Sequence, residues 1–221
     1  MPRGKRLAPA REAFVAGGRR TVQFASRTQV SAPAFVYVAP ALHEDILKIG
    51  FSHDPCARVR SFHPRWFEYF DLPRGFVLTA TDEGDARRIE RLLGAALREH
   101  RASLAPLVIE RAAGGFTEWY RGAQEQVARL ARELVDAGGY APLISLDECL
   151  RQRLLLERDD LFERSIALVD AIDALGAEPR AIALRQKLHD MLDAYAALGI
   201  DVHEFLSVAV SEWLARESAC D

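Results

Sequence analysis

The sequence predicts an α+β fold: a small mixed or antiparallel sheet flanked by helices, followed by an all-α helical bundle. Three observations carry that reading. Short β-prone runs alternate with helical stripes between residues 34 and 142, every apolar stripe past Pro142 has helical spacing, and charge segregates along the chain in similar blocks. Residues 1–33 carry seven basic groups and one acidic, Glu12; residues 34–145 carry 14 and 15; residues 146–221 carry eight and 16. The formal charge of -3 over 221 residues therefore sums a basic arm, a near-neutral part and an acidic part. It does not exclude a nucleic-acid partner. The expected division is an arm over 1–33, a compact α+β domain over 34–142 and an acidic three-helix domain over 143–221.

The elements follow in order. Residues 1–33 hold scattered Arg, Pro and Gly with little apolar periodicity and read as a solvated arm, in which residues 21–24 could pair as a short edge strand. Residues 35–38 and 46–51 are β-prone runs separated by a small loop, hence an antiparallel hairpin. Alternation puts Leu47, Ile49 and Phe51 on one face, and Ile46, Lys48 and Gly50 on the other. Asp54 can cap a helix that Pro55 opens and Pro64 ends. A third strand is expected at 76–79. A stronger helix is expected at 82–100, where Ala86, Ile89, Leu93, Ala96 and Leu97 recur at helical spacing. Strands at 107–109 and 116–120 flank the turn at 112–115, and a helix over 122–136 ends at Gly138-Gly139.

Past Pro142 three amphipathic helices are expected. Ser145 with Glu148 and Asp201 with Glu204 read as capping boxes, and Pro179 opens the helix between them. Leu150, Leu154, Leu161, Leu168, Ile172 and Leu175 stripe the first helix. Leu184, Leu188, Met191, Tyr195 and Leu198 stripe the second, and Val202, Phe205, Leu206, Ala209 and Trp213 the third.

Several function classes are disfavoured. No apolar run approaches the ~20 residues that span a bilayer, and residues 1–20 lack the apolar stretch of a secretory signal. Cys56, Cys149 and Cys220 are odd in number and far apart, offering neither a disulfide framework nor a CxxC metal site. A cytoplasmic setting is expected, and high Ala and Arg usage suggests a bacterial or phage source.

Four residues stand out as candidates for chemistry. Tyr37 sits in an apolar strand, and Lys48 faces the same way one hairpin strand later. Arg58 lies on the short helix that follows, one turn before Phe62. Glu90 shares the stripe of Ala86, Ile89, Leu93 and Leu97, where a carboxylate is expensive unless paired or metal-bound. Each has a structural reading too: a strand tyrosine with a satisfied hydroxyl, a solvated arginine, and a glutamate at the stripe's margin pairing with Arg87 or Arg91.

Taken together, the residues form a pattern. Val36-Tyr37-Val38 is followed by Lys48-Ile49-Gly50-Phe51-Ser52, then by Asp54-Pro55 leading to Arg58, Glu90 within 85–93, and Thr117-Glu118-Trp119-Tyr120. Over residues 35–121 this order and spacing resembles the GIY-YIG nuclease superfamily. It looks most like the branch whose second motif reads KIG, known largely as a phage-type DNA-binding or meiotically up-regulated gene domain. The resemblance implies that Tyr37 acts as or positions the general base that activates water. Arg58 would hold the scissile phosphate. Glu90 would bind one Mg²⁺ (or Mn²⁺) through a single carboxylate. Lys48 stands where fully catalytic members have a second tyrosine, and would hold phosphate or lower the pKa of a neighbouring tyrosine. The branch often has a histidine where this chain has Gly94. Glu118 offers a second carboxylate.

The expected function is thus that of a DNA endonuclease-like protein hydrolysing phosphodiester bonds with one divalent metal. The alternatives are a non-catalytic DNA-binding module of the same fold, and an interaction protein acting through the acidic bundle. Arg60 and Arg65 beside the site, with Arg3, Lys5, Arg6, Arg19 and Arg20 in the arm, are the expected phosphate contacts. Arg87, Arg88, Arg91, Arg98 and Arg101 read as a solvated helix face. Trp66, Phe67, Tyr69 and Phe70, expected in a loop, would either stack bases or cover the sheet. The expected partner is DNA, with a protein partner or self-association through residues 143–221 and no membrane.

Overall fold

The computed structural model describes residues 32–102 and 118–218. The arm with Arg3, Lys5, Arg6, Arg19 and Arg20, the strands expected at 21–24 and 107–109, the turn at 112–115 and Cys220 lie outside the described residues. The architecture is α+β, as the sequence predicts: a five-stranded antiparallel sheet flanked by helices, with further helices after it.

The hairpin of β1 (Ala34–Pro40) and β2 (Ile46–Ser52) is central to the sheet. Period-two alternation sends Val36, Val38, Leu47 and Ile49 to one face and Tyr37, Ala39, Ile46 and Lys48 to the other. The order is β4-β2-β1-β3-β5, with β3 at Phe76–Ala80, β4 at Trp119–Arg121 and β5 at Ile144–Ser145.

One face carries α3 (Glu83–Ala96) and α4 (Gln124–Gly138), which bury Ala86, Ile89, Leu93, Val127 and Ala131 against it. Asp82 starts α3 by accepting the Asp85 N–H, and α4 ends where Gly139 takes the left-handed conformation, φ 68°. The other face carries α1 (Pro55–Arg60), α2 (Trp66–Tyr69) and the start of α5 (Leu146–Leu156). Trp66 and Phe70 are buried there, so the aromatic run covers the sheet, and it contains a helical turn where a loop was expected. Each such fully buried large apolar side chain contributes about 1.5–3 kcal/mol. This second core continues through Leu154, Leu161, Ile172, Leu188 and Tyr195 to Trp213, and the described residues belong to one compact unit.

The C-terminal helices differ from expectation in three ways. Ile144 and Ser145 are strand, pairing with Val77 and Phe76 before α5 begins. The first long stripe is two helices, α5 and α6 (Arg158–Leu175), broken at Glu157, and α7 is Pro179–Ala197. The third is a 3₁₀ turn at Val202–Phe205 followed by α8 (Val208–Ser218). Neither capping box forms as expected. The Ser145 side chain makes no cap hydrogen bond, and Glu148 instead accepts from Gln152. Asp201 caps the 3₁₀ turn through the His203 N–H, while the Ser207 hydroxyl accepts from Val210. Among the described residues no helix is long and apolar enough to cross a membrane.

Candidate active site

Tyr37 lies mid-strand in β1, directly opposite Gly50 of β2. Its ring rests across that glycine so closely that a Cβ there would collide with the phenol. Gly50 is therefore the seat of Tyr37, and its lack of a side chain has a steric reason. Burial pushes the phenol up to about 12; a hydrogen bond and charge from Arg58 oppose this, and the charges of Glu118 and Glu90 add to it.

Lys48 pairs with Ala39 on one side and Trp119 on the other, which fixes its ammonium beneath the sheet. The side chain is fully buried, and Nζ donates to Glu118 Oε2 at 2.9 Å. It also lies 5.1 Å from the Trp119 ring and 5.5 Å from that of Phe62, where aromatic faces favour a cation. Burial pulls the lysine pKa down, and the Glu118 carboxylate opposes that shift. Arg58 is the cation that opposes the rise of the Tyr37 phenol, by a hydrogen bond and by its charge.

Arg58 reaches this cluster from α1. Asp54 caps that helix by accepting the Ala57 N–H at 2.8 Å, with Pro55 at its first turn. The half-buried guanidinium lies over the Phe62 ring at 5.0 Å, one turn further on. Glu90 comes from α3, on the far face of the sheet. It flanks the buried Ile89 and Leu93, half-buried at the margin of their stripe. Burial raises its pKa, the Glu118 charge raises it further, and Lys48, Arg87 and Arg91 oppose.

Tyr37 and Lys48 thus both feel the charges of Arg58, Glu90 and Glu118, and Lys48 and Glu118 are in direct contact. Glu118 stands just before β4, and its carbonyl accepts the Ile49 N–H at 3.1 Å. Tyr120, which closes the motif begun at Thr117, lies with its hydroxyl over Gly94: a Cβ there would be 2.7 Å from it. The space beside Gly94 is filled by this phenol. Burial raises the Tyr120 pKa, Arg101 opposes, and the charges of Glu90 and Glu118 add to the rise.

Arg60 and Arg65 turn elsewhere. Arg60 Nη1 donates to Glu157 at 2.7 Å; Arg65 Nη1 donates to Asp190 and Asp193 at 2.7 and 2.9 Å, and its Nη2 to Glu68 at 2.6 Å. Both therefore tie the α1–α2 region to the acidic helices.

Among the described residues, no three His, Cys, Asp or Glu side chains gather as a metal cluster. Glu90 and Glu118 do fit a hard divalent cation. They supply oxygen donors, they repel one another, and one or two carboxylates completed by water suit Mg²⁺.

No curated protein and no solved structure matches the chain. Residues 34–135, from the first residue of β1 into α4 and including all five groups of the site, match the family model of the T5orf172 domain.

Proposed function

We propose that this chain is a DNA endonuclease-like protein of GIY-YIG type, hydrolysing phosphodiester bonds with one divalent metal, Mg²⁺ or Mn²⁺. The observation that carries the reading is the convergence of Tyr37, Lys48, Arg58, Glu90 and Glu118 from four elements and one strand approach. The T5orf172 match supports it, because that domain occurs in phage-type, GIY-YIG-like endonuclease-related proteins.

The residues divide the work as follows. Arg58 holds the scissile phosphate and meets the charge that develops on it. Tyr37 stays protonated through the neutral range, so it positions the attacking water by hydrogen bonding and does not itself take the proton as a phenolate. Glu90 and Glu118 hold the metal, which when bound supplies Lewis-acid polarisation of the phosphate. Lys48 fixes Glu118 from below. The basic residues of the arm, Arg3, Lys5, Arg6, Arg19 and Arg20, add salt-sensitive phosphate contacts.

A second reading, DNA binding without cleavage, is favoured by one observation. Tyr37 is 1% exposed and Lys48 is already paired to Glu118, so a substrate must reach both through Arg58 and the carboxylates. Plasmid DNA incubated with the protein and Mg²⁺ or Mn²⁺ separates the two. Nicking that Tyr37→Phe, Arg58→Ala and Glu90→Gln abolish supports the enzyme. A salt-dependent mobility shift without nicking supports the binding module, and nicking that survives all three substitutions removes the site from either reading.

A further inference from the structure

Two of the three cysteines, 93 residues apart in sequence, meet in the fold with their sulfurs 2.8 Å apart. Cys56 lies on α1, two residues before Arg58, and is buried. Cys149 lies on α5 and is half-buried. The helices that carry them are held together from both sides of the pair. Arg153 of α5 reaches Asp54, the cap of α1, at 3.1 Å, and Arg60 of α1 reaches Glu157 just beyond α5 at 2.7 Å. The separation exceeds a bonded pair's by only roughly 0.8 Å.

We propose that Cys56 and Cys149 are an oxidative modification site, joined as a reversible intramolecular disulfide by exchange with low-molecular-weight disulfides such as glutathione disulfide. Cys149 is the entry point. It is the more exposed of the two, the hydrogen bond it shares with Cys56 and the charge of Arg153 hold its thiol pKa down, and the same contact and burial push that of Cys56 up. The Cys149 thiolate attacks one sulfur of the small disulfide, forming a mixed disulfide and expelling one thiolate. The Cys56 sulfur then loses its proton and attacks Cys149 Sγ, expelling the second thiolate. The protein loses two protons and two electrons, and the small disulfide takes them up and leaves as two thiols. The product ties α1, with Arg58 on it, to α5.

The site does not rest on the nuclease reading, and its test reads mass and not cleavage. The full chain is equilibrated with mixtures of reduced and oxidised glutathione, quenched by acid and alkylation, and mapped by mass spectrometry. A peptide pair linking Cys56 to Cys149 is expected, with Cys220 recovered alkylated. The equilibrium constant should exceed that of the same chain in urea by at least about tenfold, because the fold supplies the proximity. Cys56→Ser should accumulate the Cys149–glutathione mixed disulfide, and Cys149→Ser should leave Cys56 reduced. Pairing with Cys220 instead, full alkylation of both cysteines at every ratio, or a native constant no larger than in urea overturns the proposal. If Cys56→Ser accumulates no mixed disulfide at Cys149, the order of attack is wrong.

Discussion

Lys48 Nζ lies 2.9 Å from Glu118 Oε2 across the β2–β4 pairing, and water reaches only one of the two: the lysine is fully buried, the carboxylate 39% exposed. The partners therefore respond differently to loss. Glu118→Gln takes a charge away from a buried ammonium and should destabilise the fold by about 1–3 kcal/mol. Lys48→Met replaces the ammonium with an apolar chain of similar length, leaves a carboxylate that water can solvate, and should cost less. Urea denaturation of both variants checks this; an equal or reversed order sinks the dependence of Lys48 on Glu118.

Gly50→Ala places a methyl group in the ring of Tyr37. Overpacking of this kind costs about 1–3 kcal/mol. In a Tyr37→Ala background the same change should cost almost nothing, so a double-mutant cycle measures the contact directly. Additive effects would mean that Tyr37 does not lie on Gly50.

Tyr37 keeps its proton far into alkali. Its folded pKa of about 12 stands above the ordinary 10.0, so its contribution to stability is fully present below pH 10 and is lost as pH rises through about 12. Ultraviolet titration should show that Tyr37→Phe removes a phenol titrating above the ordinary tyrosine range. Any pH–rate profile should lack a Tyr37-dependent limb near neutrality. A Tyr37 phenol ionising at or below 10 contradicts the positioning role.

Glu90 is shifted the same way by burial and by Glu118. A carboxyl with a raised folded pKa stabilises below its unfolded value and loses that contribution as pH rises through the folded one. At neutral pH without metal, Glu90→Gln should therefore raise the melting temperature. Mg²⁺ should then stabilise the parent, increasingly with pH, and leave the variant unmoved, while cleavage falls by about 10²–10³-fold. A variant that still gains stability from Mg²⁺ places the metal elsewhere.

Arg65 is an internal tie. Arg65→Ala breaks contacts to Glu68, Asp190 and Asp193 and should cost about 1–2 kcal/mol, less at high salt. DNA affinity should stay within twofold of the parent, roughly the noise of such comparisons, whereas Arg58→Ala should weaken it about tenfold. A large affinity loss in Arg65→Ala returns that residue to the phosphate contacts.

What was legible in the sequence is what local rules govern. Period-two alternation placed Tyr37 and Lys48 on one face of the hairpin, and the Asp54-Pro55 cap started the helix that carries Arg58. Partners distant along the chain were not legible. The pairing of Arg60 with Glu157 and of Arg65 with Asp190 and Asp193 was hidden because those carboxylates lie 97 to 128 residues away. The break between α5 and α6 falls at Glu157, which carries no glycine or proline signal, and its side chain is held by Arg60 and Arg153. The meeting of Cys56 and Cys149 likewise depends on β5, whose two residues set the entry of α5.

Order of synthesis gives the Lys48–Glu118 pairing a further meaning. The hairpin and α1 leave the ribosome long before Glu118, which is 70 residues beyond Lys48. Until then the nascent sheet carries an amine on the face it must bury, and no β4 to lie beside β2. Closing so distant a contact is slow compared with forming a hairpin. Pairing of the buried amine is therefore timed by one carboxylate arriving late, and a chain cut short before residue 118 carries Lys48 without the carboxylate it donates to.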